Sequence, residues 1–170
     1  MSEIARWYER KFEFAFLAEL YPNVLVRLRG TPARLEEILR ERSRERLTHK
    51  PDGKWSAQEH AGHLLNLEPL WLARVEDYVA GSKILSVTDL SNRPTDEAHY
   101  NTWDLSRILS DFRDSRKKLT DRAVALDSAL FSHSIPHPRL KQPMRLVDHL
   151  FFVAEHDDHH LARIWEILSA

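Results

Sequence analysis

The sequence predicts an all-α protein, a four-helix bundle with one long crossover. Three features carry that reading. Apolar residues recur at helical spacing through four stretches, helix start and stop residues flank them, and a long polar connection separates the second stretch from the third. The 170 residues suit one domain, 1–170, with an N-terminal aromatic segment over 1–30 packed on a bundle over 31–168.

In the N-terminal segment Phe12, Phe14 and Phe16 alternate as in a strand, whereas Trp7, Lys11, Phe14 and Leu17 fit a helix. With no second strand candidate to pair with, the expectation is a helix or an extended aromatic lid. The first bundle helix is expected over about 31–45, with Thr31 as N-cap, Pro32 as first helical residue, and Leu35, Ile38 and Leu39 on one face. The second starts at a capping box, Ser56 with Glu59, and stops at Gly81. Leu64, Leu67, Trp71, Val75 and Tyr78 face inward, and Pro69 lies inside. The third runs over about 102–127 along Leu105, Ile108, Phe112, Leu119 and Leu126, and the fourth over about 143–168 from Pro143 along Leu146, Leu150, Val153, Leu161, Ile164 and Leu168. Short loops join the first pair and the last pair, while residues 82–100 form a long polar connection, so the bundle is not simply up-down-up-down.

Composition excludes several functions. With 25 basic and 26 acidic residues the net charge is −1, which gives no pull toward nucleic acid or anionic membrane. No cysteine is present, so disulfides, thiolate metal sites and cysteine nucleophiles are ruled out. The four glycines make no phosphate-binding loop. The start is charged, and no stretch of about 18 apolar residues exists to span a membrane. The expected setting is the cytoplasm.

Histidine stands out, with ten copies. His156 and His160 are spaced i, i+4 on the fourth helix, which suits two ligands of one metal, although ordinary packed histidines remain the alternative. His63 falls on the same face of the second helix as Leu67 and Trp71, one turn after His60. Its level is roughly 11 Å from its helix start, and the midpoint of His156 and His160 is roughly 15 Å from their helix end. Antiparallel helices would bring the three rings together. Three histidines leave one ligand position open, as in catalytic zinc sites. His60 suits packing or hydrogen bonding to a ligand, and His149 suits a pocket wall. His159 is expected in solvent, and His49, His99, His133 and His137 in loops. His156-Asp157-Asp158-His159-His160 resembles HExxH with Asp for Glu but leaves little room for a downstream third ligand, and no Glu-x-x-His di-iron pattern occurs.

Asp157, Arg116 and Arg74 interrupt apolar stripes. They read either as structural ion pairs or as an acid orienting a ligand histidine with a cation for an anionic substrate. Arg116 is expected to pair with Asp157 or Glu68.

Gly53-Lys54-Trp55-Ser56-x-x-Glu59-x-x-x-His63-Leu64 with Glu68, Glu155-His156-x-x-His159-His160-Leu161, and Arg27-Leu28-Arg29-Gly30-Thr31-Pro32-Ala33-Arg34-Leu35 together resemble the DinB/YfiT-like family, DinB_2 branch, over about 25–168. The resemblance implies an up-down-down-up bundle and a divalent metal, nickel or zinc, on His63, His156 and His160. His60 inherits no role. It also implies a metal-dependent hydrolase or a thiol-dependent S-transferase or isomerase, with a small-molecule substrate and a low-molecular-weight thiol as cosubstrate. The alternative is a non-catalytic metal-binding stress-response or interaction module; a homodimer stays open. Asp157 and Arg116 are the candidate catalytic residues, Asp157 as a base or as the acid behind a ligand. The lack of an acid clearly aimed at the metal tilts the reading toward thiol transfer.

Overall fold

The computed structural model describes residues 4–87 and 91–169. Its helices are α1 (Tyr21–Leu39), α2 (Arg44–Thr48), α3 (Ala57–Ala80), α4 (Arg93–Glu97), α5 (Leu105–Val124) and α6 (Leu146–Ser169). The four long ones, α1, α3, α5 and α6, make the bundle, and α2 and α4 are short pieces in the connections. α1 and α3 each pack against both α5 and α6, so the diagonals are α1 with α3 and α5 with α6. Glu68 meets Arg116 and Glu76 meets Arg122, so α3 and α5 run parallel. Arg27 and Arg34 both meet Asp158, and Arg27 also meets Glu155, so α1 and α6 run parallel. Leu28 lies beside Arg116 and Glu36 beside Arg113, which makes α1 and α5 antiparallel. The bundle is up-down-down-up. No described helix is long and apolar enough to cross a membrane.

Local sequence explains several of these boundaries. Ser56 accepts the Glu59 amide at 3.1 Å, and the Ser56 amide donates to the Glu59 carboxylate at 2.8 Å. That reciprocal capping box starts α3. Gly81, at φ +65°, ends it in the left-handed conformation that glycine adopts without strain.

Helix α1 begins ten residues earlier than its sequence suggests. Pro22 lies in its first turn, and Pro32 lies inside it. Proline at 32 cannot donate to the Leu28 carbonyl one turn back. That carbonyl instead accepts a hydrogen bond from Arg116 Nη1 at 3.2 Å. Thr31 is therefore no N-cap. It is buried mid-helix and donates its hydroxyl to Asp157 at 2.8 Å.

The loops are longer than expected. A two-stranded antiparallel ribbon, β1 (Ser134–Pro136) and β2 (Pro143–Arg145), fills the α5–α6 connection and buries Ile135 against Met144. Pro143 thus lies in a strand, not at the entry to α6. The paired prolines, Pro136 and Pro143, stand at the ribbon's end, where a missing N–H is tolerated. The N-terminal segment is extended apart from single turns at Trp7–Glu9 and Ala18–Leu20, and it lays Trp7 and Phe12 on Phe152 of α6.

Two apolar clusters form the core. One includes Leu28, Trp71, Leu119 and Val153, and the other Leu35, Leu64, Phe112 and Leu161. Between them each bundle helix contributes a polar residue: Thr31, Glu68, Arg116 and Asp157. Arg116, 1% exposed, donates Nη2 to Glu68 at 2.6 Å and Nη1 to Asp157. Burial pushes Glu68 up to about 7, against the pull of Arg116. Arg116 thus pairs with both expected acids.

Removing a charge from such a layer strands its partners without water. Arg116→Ala should lose about 3–5 kcal/mol of unfolding free energy. The guanidinium-denaturation midpoint measures this, and an unchanged midpoint would contradict the role given to the layer.

Candidate metal centre

α3 and α6 cross antiparallel at the histidines, as the levels estimated from sequence require. His63, His156 and His160 are all buried, and one nitrogen from each lies within 4.8 Å of the others. The Nε2 atoms of His156 and His160 stand 3.1 Å apart. Two nitrogen ligands at about 2.0–2.1 Å in a tetrahedral shell lie about 3.3 Å apart, close to that spacing. Burial pushes His63 down to about 4 and holds His156 and His160 well below the ordinary imidazole range. At neutral pH all three are uncharged, the form that binds metal. The outer nitrogen of His156, Nδ1, is buried without a partner, so Nε2 is its working atom. The donor set fits a divalent ion.

The groups behind the ligands come from unexpected places. His63 Nδ1 lies 3.0 Å from the Thr95 hydroxyl, on α4 in the long connection. Thr95 also accepts from Asn66 at 3.2 Å, and Asn66 accepts from the Tyr100 hydroxyl at 2.6 Å. With Nδ1–H donating to Thr95, His63 presents Nε2 to the ion. Tyr100 reaches this position only because residue 62 is glycine: a Cβ there would meet its ring at 2.2 Å. A glycine inside a helical pattern is the one sequence mark of this arrangement. His60, which inherits no role from the resemblance, places Nδ1 2.8 Å from Nδ1 of His160.

A cavity of about 700 Å³ opens beside the three rings. Trp7, Trp55, Trp71 and Phe152 wall it, and Arg6, Arg74, Arg139 and Arg163 supply its charge. Among the described residues no Asp or Glu lines it. The extended segment acts as the aromatic cover, with Trp7 edge-on to His156 at 5.1 Å.

Several expectations need correction. Asp157 accepts from Thr31 and Arg116 rather than from a ligand ring, and it is fully buried in the polar layer. Arg116 is locked in that layer and does not line the cavity. Glu155 is held by Arg10 and Arg27. None of the three is placed to touch a substrate. His159 is half-buried and lines the cavity instead of facing solvent. His133 and His137 lie in loops as expected, His137 buried at the cavity wall, and His49 and His99 are exposed as expected. His149 is fully buried, with Nε2–H donating to the Trp71 carbonyl at 3.2 Å.

Comparison with known proteins places the fold. The family model DinB_2, DinB superfamily, matches residues 27–164. No curated protein matches the chain. Among solved structures, YfiT from Bacillus subtilis is described as a probable metal-dependent hydrolase with an unusual four-helix bundle topology. It is similar in fold, with a TM-score of 0.81 at 20% identity, over 94% of this chain and 91% of that one.

One divalent ion per chain should bind, and His63→Ala, His156→Ala or His160→Ala should each abolish tight binding while leaving the helical circular dichroism intact. Thr95→Val should weaken binding by about 10–100-fold through loss of ligand orientation. Metal analysis and a chelator competition measure both; full occupancy in His63→Ala would remove it from the ligand set.

Acid should also destabilise the fold. Burial pushes His149 down to about 3, whereas an unfolded histidine titrates near 6.5. The unfolded chain then binds the extra proton as pH falls, so stability is complete above pH 6.5 and is lost from there toward 3. At pH 5 the loss through His149 is on the order of 2 kcal/mol. Denaturant titrations at pH 7.5 and 5 should show a shallower pH dependence in His149→Phe than in the parent.

Proposed function

This chain belongs to the DinB superfamily, and from that premise we propose that it is a metal-dependent enzyme acting on a small molecule, by thiol transfer. The observation that carries this reading is an open, aromatic-walled cavity beside three converging neutral histidines, with no carboxylate among its described lining residues. His63, His156 and His160 would hold nickel or zinc, and such an ion lowers the pKa of a bound water or thiol so that it becomes a nucleophile at neutral pH.

The chain's own residues do the rest. Thr95 and His60 hold the outer nitrogens of His63 and His160 and so keep the inner ones aimed at a common point. Trp7, Trp55 and Trp71 exclude bulk water and offer flat apolar surface to a substrate. A metal-bound water would ionise without a separate base, but hydrolysis also needs a group that protonates the leaving atom. Asp157 and Glu155 are both committed to arginines. A small thiol that gives its proton to solvent can attack an electrophilic carbon and displace a leaving group that is stable as an anion, so it needs no such acid, which favours thiol transfer.

Hydrolysis, the activity ascribed to YfiT, is the second reading, and one observation favours it. His60 and His159 line the cavity as neutral imidazoles. Burial pushes them down to about 3 and about 4, so they stay uncharged at neutral pH but accept a proton only weakly, which keeps hydrolysis second. A non-catalytic module would need neither a cavity nor an open ligand position.

Cobalt- or nickel-loaded protein titrated with cellular low-molecular-weight thiols tests the assignment. A thiol-dependent change in the visible spectrum, lost in His63→Ala, is the expected result. No change with any thiol, together with ester or amide hydrolysis that disappears in the histidine variants, would replace transfer by hydrolysis. A metal site that neither exchanges nor responds to any small molecule would leave the non-catalytic module.

A further inference from the structure

Every other arginine that is buried or half-buried reaches a carboxylate, among them Arg27, Arg116, Arg145 and Arg163. Arg74 and Arg139 do not, among the described residues. Arg74 is 3% exposed and lies on α3. It donates Nε to the Ser86 carbonyl at 2.9 Å and lies 5.5 Å over the Trp71 ring. The two nearest acids in sequence are engaged elsewhere: Glu76 pairs with Arg122, and Asp77 accepts the Ser86 amide at 2.6 Å. Arg139 has Nη2 buried with no partner at all. A buried guanidinium without an anion is costly, and two in one cavity repel.

His137 sharpens the point. Its Nδ1 accepts the backbone N–H groups of Arg139 at 3.2 Å and Leu140 at 3.1 Å. The ring proton is therefore on Nε2, which faces Arg74 Nη1 at 3.1 Å. Two donors face each other, and an acceptor seated to one side, within reach of both, would satisfy them. Burial pushes Arg74 down to about 10, against the pull of Tyr78 and Asp77 and with a smaller push from Arg139, and burial pushes His137 down to about 3.

We propose that Arg74, Arg139 and His137 form a second subsite in the cavity, which receives an oxyanion, a carboxylate or a phosphate, carried on the far end of the small molecule. All three residues line the same cavity as the metal-ligand histidines. Arg74 lies three helical turns beyond His63, roughly 16 Å along α3. Trp71 lies between the two ends, 5.5 Å from the His156 ring and 5.5 Å from the Arg74 guanidinium. Phe152 packs 5.4 Å from His137 and 6.2 Å from Trp71. The ligand class is thus an elongated organic anion with an apolar middle. The placing of its reacting end rests on the metalloenzyme reading; the anion subsite itself does not.

The full chain is tested by calorimetry with 4-phenylbutyrate and phenyl phosphate against neutral 4-phenylbutyramide, both metal-loaded and after chelation. At least one anion should bind about tenfold or more tightly than the amide, as a charge-assisted pair requires. Arg74→Gln and Arg139→Gln should each remove that preference, and His63→Ala should keep it. Equal or absent binding of all three probes would overturn the proposal, as would an unchanged preference in Arg139→Gln. Should Arg74→Gln not fold, Arg139→Gln, on the partly exposed turn after β1, decides alone. A parent that binds no metal yet prefers the anion would refute the metalloenzyme reading and keep the subsite; metal binding without anion preference would do the reverse.

Discussion

A single buried guanidinium fixes how the four bundle helices meet. Arg116 reaches Glu68 on α3, Asp157 on α6 and the Leu28 carbonyl on α1 from its own place on α5. Apolar stripes tolerate sliding by a turn, because one leucine replaces another at little cost. A buried charge does not, because every other register leaves it unpaired at a cost of several kcal/mol. Pro32 is part of this arrangement, since by lacking an N–H it leaves the Leu28 carbonyl open for Arg116. The layer is a demanding choice energetically: two carboxylates share one cation, and burial raises Glu68 toward neutrality.

The height of the histidine centre follows from that layer. Asp157 is the immediate neighbour of His156, and Glu68 lies little more than one turn beyond His63. Holding Asp157 and Glu68 on the same guanidinium therefore holds α3 and α6 at the register in which the three rings converge. Low side-chain pKa values then keep the rings neutral, and aromatic residues from the N-terminal segment and from α3 close over them. The buried side-chain atoms left without partners concentrate here too. Among the described residues they are Trp71 Nε1, Arg139 Nη2, His149 Nδ1 and His156 Nδ1, in or against the cavity. Native proteins satisfy such groups elsewhere, so their clustering marks a region shaped for a ligand at some expense of stability.

Charge is distributed by the same logic. Overall the chain is almost neutral, which offers no hint of a charged ligand. Folding separates the signs. Asp157, Glu68, Glu155 and Asp158 pair with arginines in the bundle or on its flank, while the cavity keeps arginines and no described acid. A positive pocket beside the three histidines favours anionic ligands, while the nearby acids are tied to arginines outside it. The proposed thiol transfer and the proposed anion subsite both draw on this separation, by different residues.

The sequence alone determined whatever is encoded within a few neighbouring residues. Ser56 with Glu59 and the glycine at 81 set both ends of α3, because capping is local chemistry. Helical spacing placed His63, His156 and His160 on inward faces and made Arg116 require an acid from a neighbouring helix, because periodicity reports the face of a helix. Tertiary structure decided the rest. Thr31-Pro32 has the local form of a helix start, yet α1 runs through it because a donor on α5 and an acceptor on α6 replace the local bonds. Thr95, Asn66 and Tyr100 reach His63 only through the packing of a connection that has no periodicity to read. Asp157 was legible as buried and as a partner for Arg116; that it serves Arg116 and Thr31 and no ligand histidine was decided by packing. Arg74, Arg139 and His137 come from a helix and a ribbon turn far apart in the chain. Which donors end up facing one another without an acceptor is a property of three-dimensional packing, and no spacing in a linear sequence records it.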